Sequence, residues 1–193
     1  MAIGRPREYD PQTVLDTAMR LFWQHGYDGV SITDLTEATG VNRRSLYAQF
    51  GSKERLFREA VQKYVAGPGS YAAAALAQPT AREVAAAMVH GAADATAAPD
   101  RPHGCLLVQG ALVTGTDATS LQADLAEMRM AGVDVLAARF REAQASGEIP
   151  GEDPVALARW VASVCQGIAV QAAGGTTCED LHAIADRALR AWP

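Results

Sequence analysis

Residues 40–57, GVNRRSLYAQFGSKERLF, set Arg43, Arg44, Ser45, Tyr47, Gln49 and Lys53 around the apolar Leu46, Phe50 and Phe57. Adjacent guanidinium groups can grip a phosphate, or guanine O6 and N7, with paired hydrogen bonds. Ser45 and Gln49, four residues apart, share one face of a helix. Tyr47 lies further round and offers its hydroxyl to a phosphate. Lys53, with the backbone N–H groups opening a following helix, makes a second phosphate site. Upstream, GRPRE carries Arg5 and Arg7 on a proline-stiffened arm suited to the minor groove or to phosphate. Singly, each of these residues reads as solvated surface. Together they read as a surface for double-stranded DNA.

No other cluster offers chemistry of comparable definition. His25, His90, His103 and His182 are scattered, and none pairs with another at helical metal-ligand spacing. His103-x-Cys105 lacks a third partner, and no phosphate-cradling glycine loop or nucleophile elbow occurs. No catalysis, metal or cofactor is therefore expected. Cys105 follows PHG and begins a helix, where the dipole favours a thiolate, so an electrophile or oxidant sensor is one reading. A small buried hydrophobe is the other.

Composition agrees with a globular, soluble, cytoplasmic protein. The 193 residues are 49% hydrophobic and 20% charged, and three cysteines do not make a disulfide framework. The N-terminus has no signal-like apolar run, and residues 160–178 carry too many glycines, glutamines and hydroxyls for a good membrane span. The net charge of −5 is unevenly spread. Residues 1–66 hold nine basic and eight acidic side chains; the remainder holds eight and fourteen. A locally basic head on an acidic body suits a protein that touches a polyanion at one end.

The elements that must position these residues are helices. Asp10-Pro11 opens a first helix that Gly26 stops; Ser31-x-x-Asp34 opens a short second one ending at Gly40. Asn42 caps a third and Ser52 a fourth. Two short helices joined by a glycine turn form a helix-turn-helix, whose second member enters the major groove. AGPGS at 66–70 marks a seam between a head, residues 1–66, and a body, residues 67–193. In the body, helices are expected over YAAAALA, from Thr80 to about Ala98, over CLLVQGALVTG, along residues 119–147, from Asp153-Pro154 to about Ala173, and from Thr177 to Ala191. The fold class is all-α, with nine to ten helices: an N-terminal three-helix bundle with helix-turn-helix, plus a larger C-terminal domain.

Residues 9–65 resemble the DNA-binding region of the TetR/AcrR family of bacterial transcriptional regulators. The likeness rests on LF followed by GYDGVSITDL, then ATGV, then LY..F.SKE.LF. GCLLVQGA, 104–111, is similar to a segment of some members. The resemblance implies a homodimeric regulator, usually a repressor, with a small-molecule effector bound in the body. It implies phosphate contacts at Ser31 and Thr33, and matches Asn42, Arg43, Arg44, Ser45, Tyr47 and Lys53 to the usual contact positions. Gln49 stands where histidine is frequent and Asn42 where serine is frequent; both still hydrogen-bond, so they bear on operator sequence.

In the body, Met88, His103, Cys105, Leu107, Met128, Phe140, Trp160 and Gln166 are candidate pocket residues, mixing apolar bulk with a few polar atoms. Val161, Val164, Ile168 and Val170 are candidate dimer contacts, with intramolecular core as the alternative. A two-fold dimer implies an inverted-repeat operator. The rival readings are an activator, and a helical small-molecule-binding module without effective DNA binding.

Overall fold

The computed structural model describes residues 9–112 and 119–193. Among the described residues the chain is all-α, with ten helices and no strand. The first four are α1 (Pro11–His25), α2 (Ile32–Thr39), α3 (Arg43–Phe50) and α4 (Lys53–Ala66). Their starts are local hydrogen-bonding events. The Asp10 carboxylate accepts from the N–H groups of Gln12 and Thr13, which also holds that carboxyl below its ordinary range. Ser31 and Asp34 form a reciprocal capping box, and Asn42 and Ser52 each accept from the third residue on. Gly40 ends α2 at φ +69, a left-handed conformation that a side chain would strain. The turn Gly40–Asn42 then aims α3 across α2.

Aromatic rings fill the head. Phe22 meets Phe57 edge-on at 5.1 Å, and Trp23 meets Tyr64 at 4.7 Å. Leu35, Leu46 and Phe50 anchor α2 and α3 to this core. α4 stops at Ala66, and Gly67 follows. The packing, however, does not stop there. The same core contains Leu106 of α7 (Leu106–Leu112) and Leu121 and Leu125 of α8 (Thr119–Ala145). Gly110 permits this approach: a Cβ there would lie 3.1 Å from Leu125 Cδ1 and 3.5 Å from Phe57 Cζ. Trp23 Nε1–H donates to the Gly104 carbonyl at 3.2 Å, and Arg58 pairs with Asp124 at 2.7 Å.

The body adds α5 (Tyr71–Leu76), α6 (Ala81–Thr96), α9 (Pro154–Ala173) and α10 (Cys178–Leu189). Thr80 and Glu83 cap α6 reciprocally, Asp153 caps α9, and Thr177 caps α10. A second core joins Val84, Val89, Phe140, Val161, Ile168 and Leu181. The 27-residue α8, about 40 Å long at 1.5 Å per residue, has one end in each core.

This packing corrects part of the sequence reading. Val161 and Ile168 are fully buried inside the subunit, so they cannot be outward dimer contacts. Val164 is half-buried against the second core, and Val170 is 50% exposed. The outward stripe of α9 is Ala156, Arg159, Ser163, Gly167 and Val170. Phe140, expected in a pocket, is instead sealed in the core, its ring 5.5 Å from that of Trp192. A continuous apolar run reveals that a helix is buried somewhere; the orientation of its stripe comes from its neighbours.

Candidate nucleic-acid interface

Leu46 and Phe50 turn inward from α3, so the intervening positions face out. Arg43, Arg44 and Tyr47 are exposed, while Ser45 and Gln49 are half-buried beside them. The Arg43 guanidinium lies 5.7 Å from the Tyr47 ring centroid. The Tyr9 hydroxyl donates to the Ser45 carbonyl at 3.2 Å, tying the segment before α1 to α3. Asn42 Oδ1 accepts from the Ser45 N–H at 2.9 Å, which leaves its amide N–H groups to donate. Ser31 Oγ accepts from the Asp34 N–H, and its hydroxyl also helps hold the Asp34 carboxyl below its ordinary value; Thr33 is exposed two residues on. Arg5 and Arg7 lie outside the described residues.

Electrostatics separates these groups from the other cations of the head. Arg55 is paired with Glu59 at 3.1 Å, Arg58 with Glu54 and Asp124 at 2.7 Å each, and Lys63 with Asp16 at 2.7 Å. Among the described residues Arg43 and Arg44 have no carboxylate partner. They also occupy the first two positions of α3, whose first turn holds no acidic side chain. A helix N-terminus is the positive end of the dipole, so each guanidinium there costs about 0.3–1 kcal/mol at an exposed site. Local stability would favour acidic residues. The arrangement becomes favourable when an anion covers it.

Lys53 behaves differently. Its ammonium lies 4.1 Å from the centroid of the Tyr27 ring, and burial holds it below its ordinary value. It is a half-buried cation braced by an aromatic face, at the start of α4. The sequence shows its position but not this brace.

The expected pocket residues do not converge among the described residues. Met128 lines a cavity of about 470 Å³ between α4 and α8, with Phe57, Val61 and Leu125. His103 lines a separate cleft of about 520 Å³ with Arg20, Asp100 and Gln109. Trp160 packs towards Trp192 at 6.2 Å, and Gln166 is half-buried on α9. The Met88 carbonyl accepts from the Cys165 thiol at 3.5 Å; burial pushes that thiol up to about 12. Cys105 and Leu107 pack against the head core. Burial, with Cys105 beside it, raises the Tyr64 phenol well above its ordinary value.

The histidines are not all scattered. His90 on α6 and His182 on α10 meet with Nδ1 atoms 2.8 Å apart. Their separation of 92 residues hid this, although the four-residue spacings around each were readable.

Comparison with known proteins decides the family. The profile of "Bacterial regulatory proteins, tetR family" matches residues 14–60. The chain is 34% identical to the HTH-type transcriptional repressor ComR of Escherichia coli K12 over 98% of its own length and 92% of that protein's. This chain belongs to the tetR family of bacterial transcriptional regulators. It is also 38% identical to the TetR family transcriptional regulator CifR, solved as a cysteine mutant with 26-bp double-strand operator DNA. The match has a TM-score of 0.94 and covers 98% of this chain and 100% of that one. A TetR family regulator from Cytophaga hutchinsonii shares the fold at 20% identity, with a TM-score of 0.79 over 93% and 90% of the two chains.

Proposed function

We propose that this regulator is a cytoplasmic homodimeric repressor that holds an inverted-repeat operator and releases it when a small molecule occupies the body. The observation that carries the reading is the pair Arg43 and Arg44: exposed, free of carboxylates among the described residues, and set against the dipole of α3. Arg43, Arg44, Tyr47 and Gln49 read base edges or neighbouring phosphates. Asn42, Ser45, Ser31, Thr33 and Lys53, with Arg5 and Arg7 on the arm, position the head on the backbone. The operator complex of CifR and the repressor name of ComR support this reading.

The dimer forms through the outer faces of α9 and α10. α9 is the described helix apolar and long enough to cross a membrane, with 20 residues and a mean hydropathy of 1.3. Its inner face lies in the subunit core, while Ser163, Gly167 and Val170 face out, with Ile184 exposed on α10. Small side chains let a second helix approach closely. The paired heads then meet half-sites about 34–36 Å apart.

Release follows from the shared core. An effector between α4 and α8, or an electrophile on Cys105, presses on Phe57 or Tyr64 of α4 and so on the placement of α3. The coupling expected is about 1–3 kcal/mol. Selection of bound sequences from random duplexes by the purified protein tests the proposal. Enrichment of an inverted repeat, with affinity falling steeply as salt rises, supports it. No enrichment and no salt-dependent binding would end it.

A further inference from the structure

The seam between α6 and α10 gathers five side chains that DNA binding does not use. His90 and Asp94 lie four residues apart on α6; Cys178, His182 and Asp186 follow at four-residue intervals on α10. Each set lines one helix face, and the two faces meet. His90 Nδ1 lies 2.8 Å from His182 Nδ1. His182 Nε2 lies 2.7 Å from Asp94 Oδ1, and His90 Nε2 lies 3.3 Å from Asp186 Oδ1. Cys178 Sγ lies 3.9 Å from the same Asp94 oxygen. The ligand atoms of Asp94, Cys178 and His182 all fall within 4.8 Å of one another.

His182 makes both hydrogen-bonding contacts of the seam, to Asp94 and to His90, and two neutral imidazoles, carrying one N–H each, satisfy them. What points to a metal is the convergence beside Asp94 of three different donor types, a carboxylate oxygen, a thiol sulfur and an imidazole nitrogen.

We propose that Asp94, Cys178 and His182 hold one divalent transition-metal ion of the zinc type. The set of one carboxylate oxygen, one thiolate and one imidazole nitrogen suits zinc and excludes calcium or magnesium, which take oxygen ligands. Three protein ligands leave the fourth tetrahedral position to water. Ligand atoms around such an ion stand about 3.3–3.6 Å apart. Cys178 and Asp94 are nearly so placed. His182 and Asp94 separate slightly to admit the ion, and their side chains are 34% and 66% exposed, free to do so.

The tautomers then fall into place. His182 ligates through Nε2 and donates Nδ1–H to His90 Nδ1. His90, with Asp186 Oδ1 3.3 Å from its Nε2, acts as the positioning residue that fixes the ring of His182. Binding releases the Cys178 thiol proton. Ile184, on the proposed dimer face, lies two residues from His182 and so about 200° round α10, leaving the site clear of that face.

The test is titration of the metal-free full-length protein with Co(II), followed by displacement with Zn(II). One equivalent of Co(II), with a thiolate-to-cobalt charge-transfer band and tetrahedral visible bands, is expected. Cys178→Ser abolishes the charge-transfer band, and His182→Gln abolishes stoichiometric binding. His90→Gln weakens affinity about 10–100-fold while the spectrum persists. His25→Gln, on an exposed histidine remote from the seam, leaves affinity unchanged. Far-UV circular dichroism confirms that each variant is folded. Absence of stoichiometric binding, or binding unaltered in folded His182→Gln and Cys178→Ser, overturns the proposal.

Discussion

Replacing Arg44 by alanine should move stability and affinity in opposite directions. In the free protein Arg44 stands at the second position of α3, exposed, without a carboxylate partner among the described residues, against the positive end of the helix dipole. Removing that repulsion is worth about 0.3–1 kcal/mol. At about 2–4 °C per kcal/mol for a chain of this size, the melting temperature rises by roughly 1–4 °C. On DNA the same change removes a guanidinium from each head. If Arg44 reads a base, binding weakens by about 1–3 kcal/mol per head and sequence preference relaxes at that position. If it holds a phosphate, all sequences lose alike, and the slope of log affinity against log salt shrinks by about 0.9 per head. Thermal melts of the free protein, with anisotropy titrations of a selected operator over a salt series, measure both. Arg55→Ala is the control: its guanidinium is already tied to Glu59 on a largely exposed surface, where such a pair is worth little. Arg44→Ala that melts lower and binds as tightly as the parent would refute the reasoning. So would an equal loss in Arg55→Ala.

Three further outcomes are expected from the same packing. Gly110→Val should lower stability by roughly 1–3 kcal/mol, read by chemical denaturation, because the added methyls enter the space of Leu125 and Phe57 where α7 meets α4. Brief alkylation of the metal-free protein at pH 7.5 followed by mass spectrometry should label the exposed Cys178 and leave Cys165 unmodified, since burial pushes the Cys165 thiol up to about 12 and little thiolate forms. Asp34→Asn should lower the melting temperature at pH 7, and the difference should fade as pH falls through the carboxylate range. The Ser31 hydroxyl and backbone N–H hold the Asp34 carboxyl below its ordinary value in the folded state, so its contribution is present above the unfolded value and lost on acidification.

Much of the helix pattern was legible because capping is local. Asp10, Ser31, Asn42, Ser52, Thr80, Asp153 and Thr177 each satisfy N–H groups two or three residues on, so sequence spacing alone marks where those helices begin. The polar set on α3 was legible for a related reason. Leu46 and Phe50 define an inward stripe, and helical geometry turns the residues between them outward.

The chain's order of residues thus determined its helices, its helix-turn-helix and the exposed polar face of α3, since all three depend on interactions within about one helical turn. Tertiary structure alone decided the rest. It set Lys53 on the ring of Tyr27, joined α7 and α8 to the head's core, and turned Val161 and Ile168 inward. It also brought His90 to His182 across 92 residues. Which face of an apolar helix meets which neighbour depends on every other surface competing for burial, and that competition has no fixed spacing along a chain.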